Sequence, residues 1–294
     1  MRTVLVTGGG GFVGLGVVRA LRRMGIRTVV VGRHRYPSVE ELGALSLVGD
    51  IRDREFMVRA CENIDTVFHV AAKAGVWGKW DDYFGINVSG TENVLAACRE
   101  NLVSRLVYTS TPSVVFNRGH LHGVDETAPY ATDILCHYAR TKIMAEILVL
   151  AANGPLLKTT ALRPHLVWGP GDTHLIPRLL ERGRAGRLRI VGTGRNKVDI
   201  SYIDNVVDAH IQAAINLERY GTAAGEAFFI SQGEPVRLWE WINELFRQLA
   251  IPPVVKAVGF DRAYAMGFLL EKIYALLRIR QEPLMTRFVA EQFA

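Results

Sequence analysis

The amino-acid sequence predicts an α/β protein with a doubly wound parallel sheet and a smaller, discontinuous C-terminal lobe. Two observations support this. Short β-branched runs alternate with helix-length apolar periods through the first half of the chain, which is typical of a parallel sheet flanked by helices. The first run ends in a glycine-rich turn that opens directly into a helix. The 294 residues, 49% of them hydrophobic, suffice for one large core and a lobe.

The predicted elements follow one another at the spacing of strand–helix units. Each strand is a short apolar run, and each helix shows the apolar period of one buried face. The last predicted helix is closed by Gly154 and Pro155, which cannot continue it. We expect strands at 4–7, 28–31, 45–48, 66–70, 105–109 and 158–163, and helices at 87–101 and 138–153.

The alternation loosens after Gly169, where a stretch rich in glycine and arginine begins. We expect 1–168 to form the sheet domain, 169–198 to supply a first segment of the lobe, 199–222 to return to the sheet domain, and 223–294 to complete the lobe.

The turn after the first strand contains glycines at intervals of three, and a helix starts within it. Backbone without a β-carbon can approach a diphosphate closely, and the free N–H groups of a helix start bind it. The sequence therefore predicts a dinucleotide site. A tight turn that binds no ligand is the alternative. The expected phosphate-binding residues are Gly8, Gly11, Phe12, Val13 and Gly14.

Tyr138 and Lys142 lie four residues apart, so they share one face of a predicted helix. A free tyrosine, with a pKa of about 10, is a poor acid–base catalyst at neutral pH. A nearby ammonium favours the phenolate and lowers that pKa. The pair therefore predicts proton transfer, with an accidental pair on the protein surface as the alternative.

These motifs, with several others in the same order, resemble the extended short-chain dehydrogenase/reductase family and, within it, the 3β-hydroxysteroid dehydrogenase branch. The resemblance covers essentially the whole chain. The matching segments are 7–14, 49–53 (Gly-Asp-Ile-Arg-Asp), 69–72 (His-Val-Ala-Ala), Asn87, 108–111 (Tyr-Thr-Ser-Thr), 138–142, 162–165 (Leu-Arg-Pro-His) and 169–172 (Gly-Pro-Gly-Asp).

The resemblance implies a Rossmann-type fold and assigns roles to particular residues. The catalytic set is Thr111, Tyr138 and Lys142, of which Lys142 also binds the nicotinamide ribose. Ser110 and Ser113 flank Thr111 and compete for its role of holding the substrate oxygen. The implied cofactor contacts beyond the glycine loop are Asp50 and Ile51 at the adenine, Ala71 and Ala72 beneath the cofactor, and Pro164 and His165 near the nicotinamide. A packed histidine is the alternative for His165.

The second strand ends without the acid that binds the adenosine ribose in NAD-preferring relatives. The residues there are Gly32, Arg33, His34 and Arg35. An arginine can pair with the 2′-phosphate that NAD lacks. We therefore expect NADP(H) as the cofactor, with Arg33 as its contact; a pair of solvent-facing arginines is the alternative.

Within the branch, the chain looks most like bacterial 2-alkyl-3-oxoalkanoate reductases. This implies NADP(H)-dependent hydride transfer to the 3-oxo group of a small hydrophobic substrate. The enzymatic alternatives are a 3β-hydroxysteroid or sterol-4-carboxylate 3-dehydrogenase and a nucleotide-sugar epimerase or reductase. The alternative from another class is a regulator that senses NADP without turnover.

The segment 264–279 is apolar except for Glu271, Lys272 and Arg278, and it is too short and interrupted to span a bilayer. It predicts either a helix packed on the core of the lobe or a hood over a long alkyl chain, which would also allow peripheral membrane contact. Trp239, Trp241 and Phe246 are expected to extend the apolar wall of that pocket.

The net charge, the cysteines and the N-terminus indicate which partners and which compartment to expect. The net charge is +6, but the arginines are dispersed and lack an aromatic–basic pattern, so no nucleic acid is expected. The three cysteines are far apart, which predicts neither disulfides nor a metal site. The N-terminus resembles no signal peptide. We expect a cytoplasmic homodimer.

Overall fold

The computed structural model describes residues 1–294. In chain order, strands β1–β13 are Thr3–Thr7, Arg27–Gly32, Leu45–Val48, Thr66–His69, Arg105–Thr109, Lys158–Pro164, Val167–Trp168, Ile190–Val191, Lys197–Val198, Ser201–Tyr202, Ala227–Ile230, Val236–Arg237 and Ala257–Val258. Helices α1–α11 are Phe12–Arg23, Pro37–Glu40, Arg54–Ala60, Trp80–Phe84, Gly90–Glu100, His137–Ala151, Leu175–Arg184, Ile203–Arg219, Leu238–Gln248, Phe260–Leu276 and Arg287–Phe293.

Seven strands form the central sheet in the spatial order β3-β2-β1-β4-β5-β6-β11. Every neighbouring pair in it is parallel. The direction of winding reverses between β1 and β4, and ligands bind at the carboxyl ends of the strands beside such a reversal. The predicted fold class, a doubly wound Rossmann-type sheet, is confirmed.

The sheet is buried on both faces because its strands are apolar throughout. In β1, Val4 and Val6 face a cluster that includes Val17 of α1, while Leu5 faces the opposite cluster, which includes Met57 of α3. Burying each such side chain contributes about 1.5–3 kcal/mol. These two clusters hold the sheet rigid beneath the ends of its strands.

The helix expected at 87–101 differs in its first turn. α4 passes into a π-helical segment, Gly85–Ser89, before α5 begins at Gly90. The wider π turn inserts a residue into the helix, a feature common near functional sites. It places Asn87, whose side chain is buried, within hydrogen-bonding distance of neighbouring segments.

The seventh strand corrects one expected boundary. Residues 223–294 were assigned to the lobe, but β11 within this segment pairs with β6 in the central sheet, Phe228 opposite Leu162. The strand is only four residues long, so its own pattern is weak, and its place is decided by pairing with β6. The other expected domain boundaries stay predictions.

The lobe has a hydrophobic cluster of its own. Trp239 and Phe246 are buried there with Ile242 of α9 and Leu179 of α7, so they form lobe core and not the pocket wall that we expected. The helix expected at 264–279 is observed as α10 at Phe260–Leu276, where it lies against the start of α11, and its role as a hood stays a prediction. A β-carbon on Gly267 would come within 2.6 Å of the Thr286 carbonyl carbon. No helix has the length and apolarity needed to cross a membrane.

Candidate active site

The turn after β1 has room only for glycine at two positions. Gly8 has a φ of +69°, and a β-carbon there would lie 2.8 Å from the backbone nitrogen of Ala71. At Gly14 a β-carbon would lie 2.2 Å from the carbonyl oxygen of Gly8. The turn therefore brings β1, the start of α1 and the end of β4 into direct backbone contact.

The start of α1 leaves its first amides without a side-chain cap. Gly11 is the N-cap residue, and it offers no side chain to bond the free amides of the first turn, which includes Phe12 and Val13. Such amides and the positive end of the helix dipole favour a phosphate. The cradle of glycines therefore fits the diphosphate of a dinucleotide.

The ends of β2 and β3 lie side by side, with the amide of Gly49 donating to the carbonyl of Gly32 at 2.9 Å. Arg52 forms a two-pronged ion pair with Asp50, and this hydrogen bonding lowers the pKa of the Asp50 carboxyl. Arg33 is exposed and forms no salt bridge, so its guanidinium is available to a ligand. Ile51 is buried against Gly90.

The other expected cofactor contacts lie at the ends of β4 and β6. Ala71 touches the glycine turn, and Ala72 beside it is exposed. Pro164 ends β6, and His165 follows it with a pKa lowered by burial. The structure thus places every expected cofactor residue at the carboxyl edge of the sheet or in the helix starts and loops beside it.

Thr111 and Tyr138 meet where β5 and α6 face each other. Burial raises the pKa of the Tyr138 phenol to about 12, and the nearby Thr111 hydroxyl opposes that rise. Of the two competing hydroxyls, Ser110 is buried without a hydrogen-bond partner, and Ser113 lies 3.2 Å from the Thr111 oxygen. Of these three hydroxyls, only that of Thr111 affects the pKa of the phenol.

Lys142 is buried, with 1% of its surface exposed. Its Nζ donates to the carbonyl of Thr109 at 2.5 Å and lies 4.1 Å from the ring centre of Tyr108. Burial lowers the pKa of Lys142 to about 7. Burial dominates the pKa of the Tyr138 phenol, and the Lys142 ammonium is bonded at the end of β5, so a lowering of that pKa by Lys142 together with an oxidised nicotinamide stays a prediction.

The sequence indicates only that Asn87 occupies a structural position of the family. Its hydrogen bonds show that it connects two segments of the site. Its amide nitrogen donates to the Lys73 carbonyl at 3.1 Å and to the Thr141 hydroxyl at 3.0 Å, and its oxygen accepts from the Lys73 amide. The Thr141 hydroxyl lies on the helix between Tyr138 and Lys142. Asn87 therefore fixes α6 relative to the segment that follows β4.

A buried histidine extends this network to the first strand. The Thr91 hydroxyl lies 2.6 Å from the Asn87 carbonyl, to which it donates. Thr91 must therefore accept from Nε2 of His69 at 2.9 Å, which leaves Nδ1 of His69 to accept from Thr7 at 2.8 Å. Burial lowers the pKa of His69 to about 3, which keeps it neutral.

Sequence reasoning missed Phe288 as part of the apolar wall. This residue of α11 is 8% exposed and packs with Cys136 and Ala139 of the catalytic helix in a cluster that Tyr138 and Phe116 border. The rings of Phe288 and Phe116 meet edge to face at 6.3 Å. No local pattern indicates this, because 150 residues of chain separate Phe288 from Tyr138.

The fold and the site define the class of protein: an oxidoreductase of the extended short-chain dehydrogenase type that uses a nicotinamide cofactor. Residues 5–257 match the family model described as the 3-beta hydroxysteroid dehydrogenase/isomerase family. The chain belongs to this family.

Among its relatives, 2-alkyl-3-oxoalkanoate reductase of Stenotrophomonas maltophilia is 48% identical over 98% of this chain and 88% of its own length. The protein of the same name in Shewanella oneidensis is 45% identical over 98% of this chain and 77% of its length. Human sterol-4-alpha-carboxylate 3-dehydrogenase, decarboxylating, is 34% identical over 83% of the chain and 66% of its length.

Solved structures agree on the fold. MoeE5 in complex with UDP-glucose and NAD is 30% identical, with a TM-score of 0.72 over 87% of this chain and 85% of that chain. The crystal structure of gox2253 is 26% identical, with a TM-score of 0.79 over 99% of this chain and 87% of that chain.

Proposed function

We propose that the protein reduces the 3-oxo group of a 2-alkyl-3-oxoalkanoate to the 3-hydroxy group, with NADPH as the reductant. The observation that carries this proposal is the identity of 48% and 45% to two proteins of that name over nearly the whole chain. Tyr138 and the nearby Thr111 are the proton donor and the hydroxyl that such a reduction needs.

The reduction adds a hydride to the carbonyl carbon and a proton to its oxygen. The nicotinamide cofactor supplies the hydride when bound. Tyr138 holds the proton at neutral pH, because its pKa is raised to about 12. Its phenol donates that proton to the carbonyl oxygen, while the Thr111 hydroxyl donates a hydrogen bond to the same oxygen and stabilises the developing charge.

A nucleotide-sugar substrate is the second candidate, because MoeE5 was solved with UDP-glucose. The surroundings of Tyr138 favour the alkyl substrate: Val76, Phe116 and Phe288 contribute apolar surface to its cluster. A non-catalytic NADP sensor has no need of a hydroxyl beside Tyr138 or of the buried Lys142.

A substrate panel tests the proposal. We expect turnover of 2-alkyl-3-oxo acids. Burying each added methylene contributes about 0.8 kcal/mol, so kcat/KM should rise roughly fourfold per methylene until the pocket is filled. The measurement is NADPH oxidation with acids of increasing chain length, beside ketosteroids and UDP-sugars as competing classes. Equal activity at all chain lengths, or turnover of UDP-sugars alone, contradicts the proposal.

The preference for NADP(H) over NAD(H) is also a proposal, and Arg33 supports it. This arginine follows β2, is exposed, and lies near enough to Asp50 to lower the pKa of that carboxyl. Arg35 is exposed two residues further on. No carboxylate stands at the end of β2 to bond a free 2′-hydroxyl.

In Arg33→Ala, we expect the KM for NADPH to rise about tenfold or more, because a charge-assisted hydrogen bond contributes about 1.5–3 kcal/mol. The KM for NADH should change little, because NADH lacks the 2′-phosphate. Steady-state kinetics with both cofactors measures this, and the exposed Arg219→Ala serves as the control. A wild-type preference for NADH, or equal losses with both cofactors, contradicts the assignment.

Peripheral membrane contact and a homodimer remain proposals. The exposed face of α10 supports the first, since Phe268, Leu269 and Leu276 are 46%, 58% and 82% exposed. Flotation with anionic vesicles tests it, and Leu269→Glu should abolish binding. Light scattering that shows a monomer overturns the proposed homodimer.

A further inference from the structure

The catalytic helix α6 carries a second buried charge one turn beyond Lys142. Glu146 has no exposed surface, and Lys142 is 1% exposed. Residues four apart on a helix lie on the same face about 6 Å apart at their β-carbons. The helix therefore buries an ammonium and a carboxylate as neighbours.

Two residues from other parts of the chain hold the Glu146 carboxylate. Arg163 at the end of β6 donates from Nη2 at 2.6 Å and from Nε at 3.2 Å to each carboxylate oxygen. Tyr130 donates its hydroxyl proton at 3.0 Å. The guanidinium in turn lies 5.1 Å from the ring centre of Phe229. The carboxylate is thus fixed in position by an ion pair and two donors.

This ion pair is a poor stabilising device. Removing two charges from water costs several kcal/mol for each ion, and apolar replacements of buried pairs are often as stable. Nη1 of Arg163 is also buried without a partner, which adds to the cost. Stability alone therefore does not explain the Glu146–Arg163 pair, and the effect of its charges on neighbouring groups matters more.

The neighbour affected most directly by the Glu146 charge is Lys142. From β5 it contacts the Thr109 carbonyl and the Tyr108 ring, and the nearby His69 of β4 is neutral because burial lowers its pKa. On its own helix it has the neutral Tyr138 and the Glu146 carboxylate. Among these groups only Glu146 carries a negative charge, and that charge raises the pKa of Lys142 against the effect of burial.

We propose that Glu146 is a positioning residue for the reaction: a fixed counter-charge that keeps the buried Lys142 protonated, with Arg163 and Tyr130 holding the carboxylate in place. The proposal rests on the proposed function, in which protonated Lys142 binds the nicotinamide ribose. A purely structural role, a staple between α6 and β6, predicts a loss of stability without a change in pH dependence.

The test is Glu146→Gln, which keeps the shape and the acceptor for Tyr130 but removes the charge. NADPH affinity, from the quenching of protein fluorescence, and kcat/KM are measured from pH 5 to 10. Both should fall in the wild type as the pH rises past the Lys142 pKa of about 7. In the variant we expect this fall to occur about one pH unit lower.

Two matched variants separate charge from packing. Tyr130→Phe removes a hydrogen bond from the same carboxylate but keeps its charge, so the fall should stay within a few tenths of a pH unit of the wild type. Glu100→Gln removes an exposed carboxylate paired with Arg54 and should change nothing. If Glu146→Gln fails to fold, the double variant Glu146→Gln with Arg163→Met removes both buried charges and should show an acid shift in the same direction, smaller because the positive charge of Arg163 is lost as well.

An unshifted pH dependence with a uniform loss of affinity overturns the counter-charge, as does an equal shift in Tyr130→Phe. Lysine Nζ NMR titration without cofactor gives a readout independent of turnover, and the Lys142 resonance should titrate at lower pH in the variant. If the wild type binds no nicotinamide nucleotide, the proposed function fails, while the NMR titration still tests the effect of Glu146 on Lys142.

Discussion

Tyr138→Phe is expected to lower kcat by at least about a hundredfold, because it removes the proton donor of the reduction. The ring keeps its place beside Phe288 and Cys136, so the fold should persist. Binding of NADPH should change little, since no expected cofactor contact depends on the phenol. Steady-state kinetics with the best 3-oxo acid and a fluorescence titration with NADPH measure the two effects separately.

The control is Tyr83→Phe, a buried tyrosine whose hydroxyl donates to the Gly75 carbonyl at 2.8 Å. We expect it to cost about 1 kcal/mol of stability, the usual contribution of such a bond, with kcat within a few-fold of the wild type. Near-normal turnover by Tyr138→Phe would show that another group donates the proton.

Lys142→Met is expected to lower both NADPH affinity and kcat, each by tenfold or more, because a buried ammonium that bonds a charged or polar ligand contributes about 1.5–3 kcal/mol per bond. Methionine fills similar space without the charge. Isothermal titration and steady-state kinetics measure the losses, and Lys158→Met, whose Nζ donates to the Leu217 carbonyl, is the control. Undiminished NADPH affinity contradicts the role of Lys142.

The same variant should alter the pH dependence of stability. Burial lowers the pKa of Lys142 from 10.5 to about 7, so between these values the unfolded chain binds a proton that the folded chain does not. The free energy of unfolding therefore rises with pH across this window. Thermal unfolding from pH 7 to 10 should show this rise in the wild type and lose it in Lys142→Met.

The sequence by itself determined what local pattern encodes. The alternation of apolar runs predicted the parallel sheet, and strands β3 and β5 have the expected bounds. The glycine spacing placed Gly8 in the turn after β1 and Gly14 at the start of α1, at positions where no β-carbon fits. The spacing of Tyr138 and Lys142 placed both on one helix. Each of these features depends on residues within one or two adjacent elements, so the order of the residues is enough to read it.

Only the tertiary structure decided what joins distant segments. It added β11 to the sheet, brought Phe288 to the catalytic helix, and paired Glu146 with Arg163. It also decided the protonation of the site, because burial sets the pKa of Tyr138 and Lys142. Contacts between distant segments depend on the path of the whole chain, and desolvation depends on every segment that covers a group. A local sequence pattern carries neither kind of information.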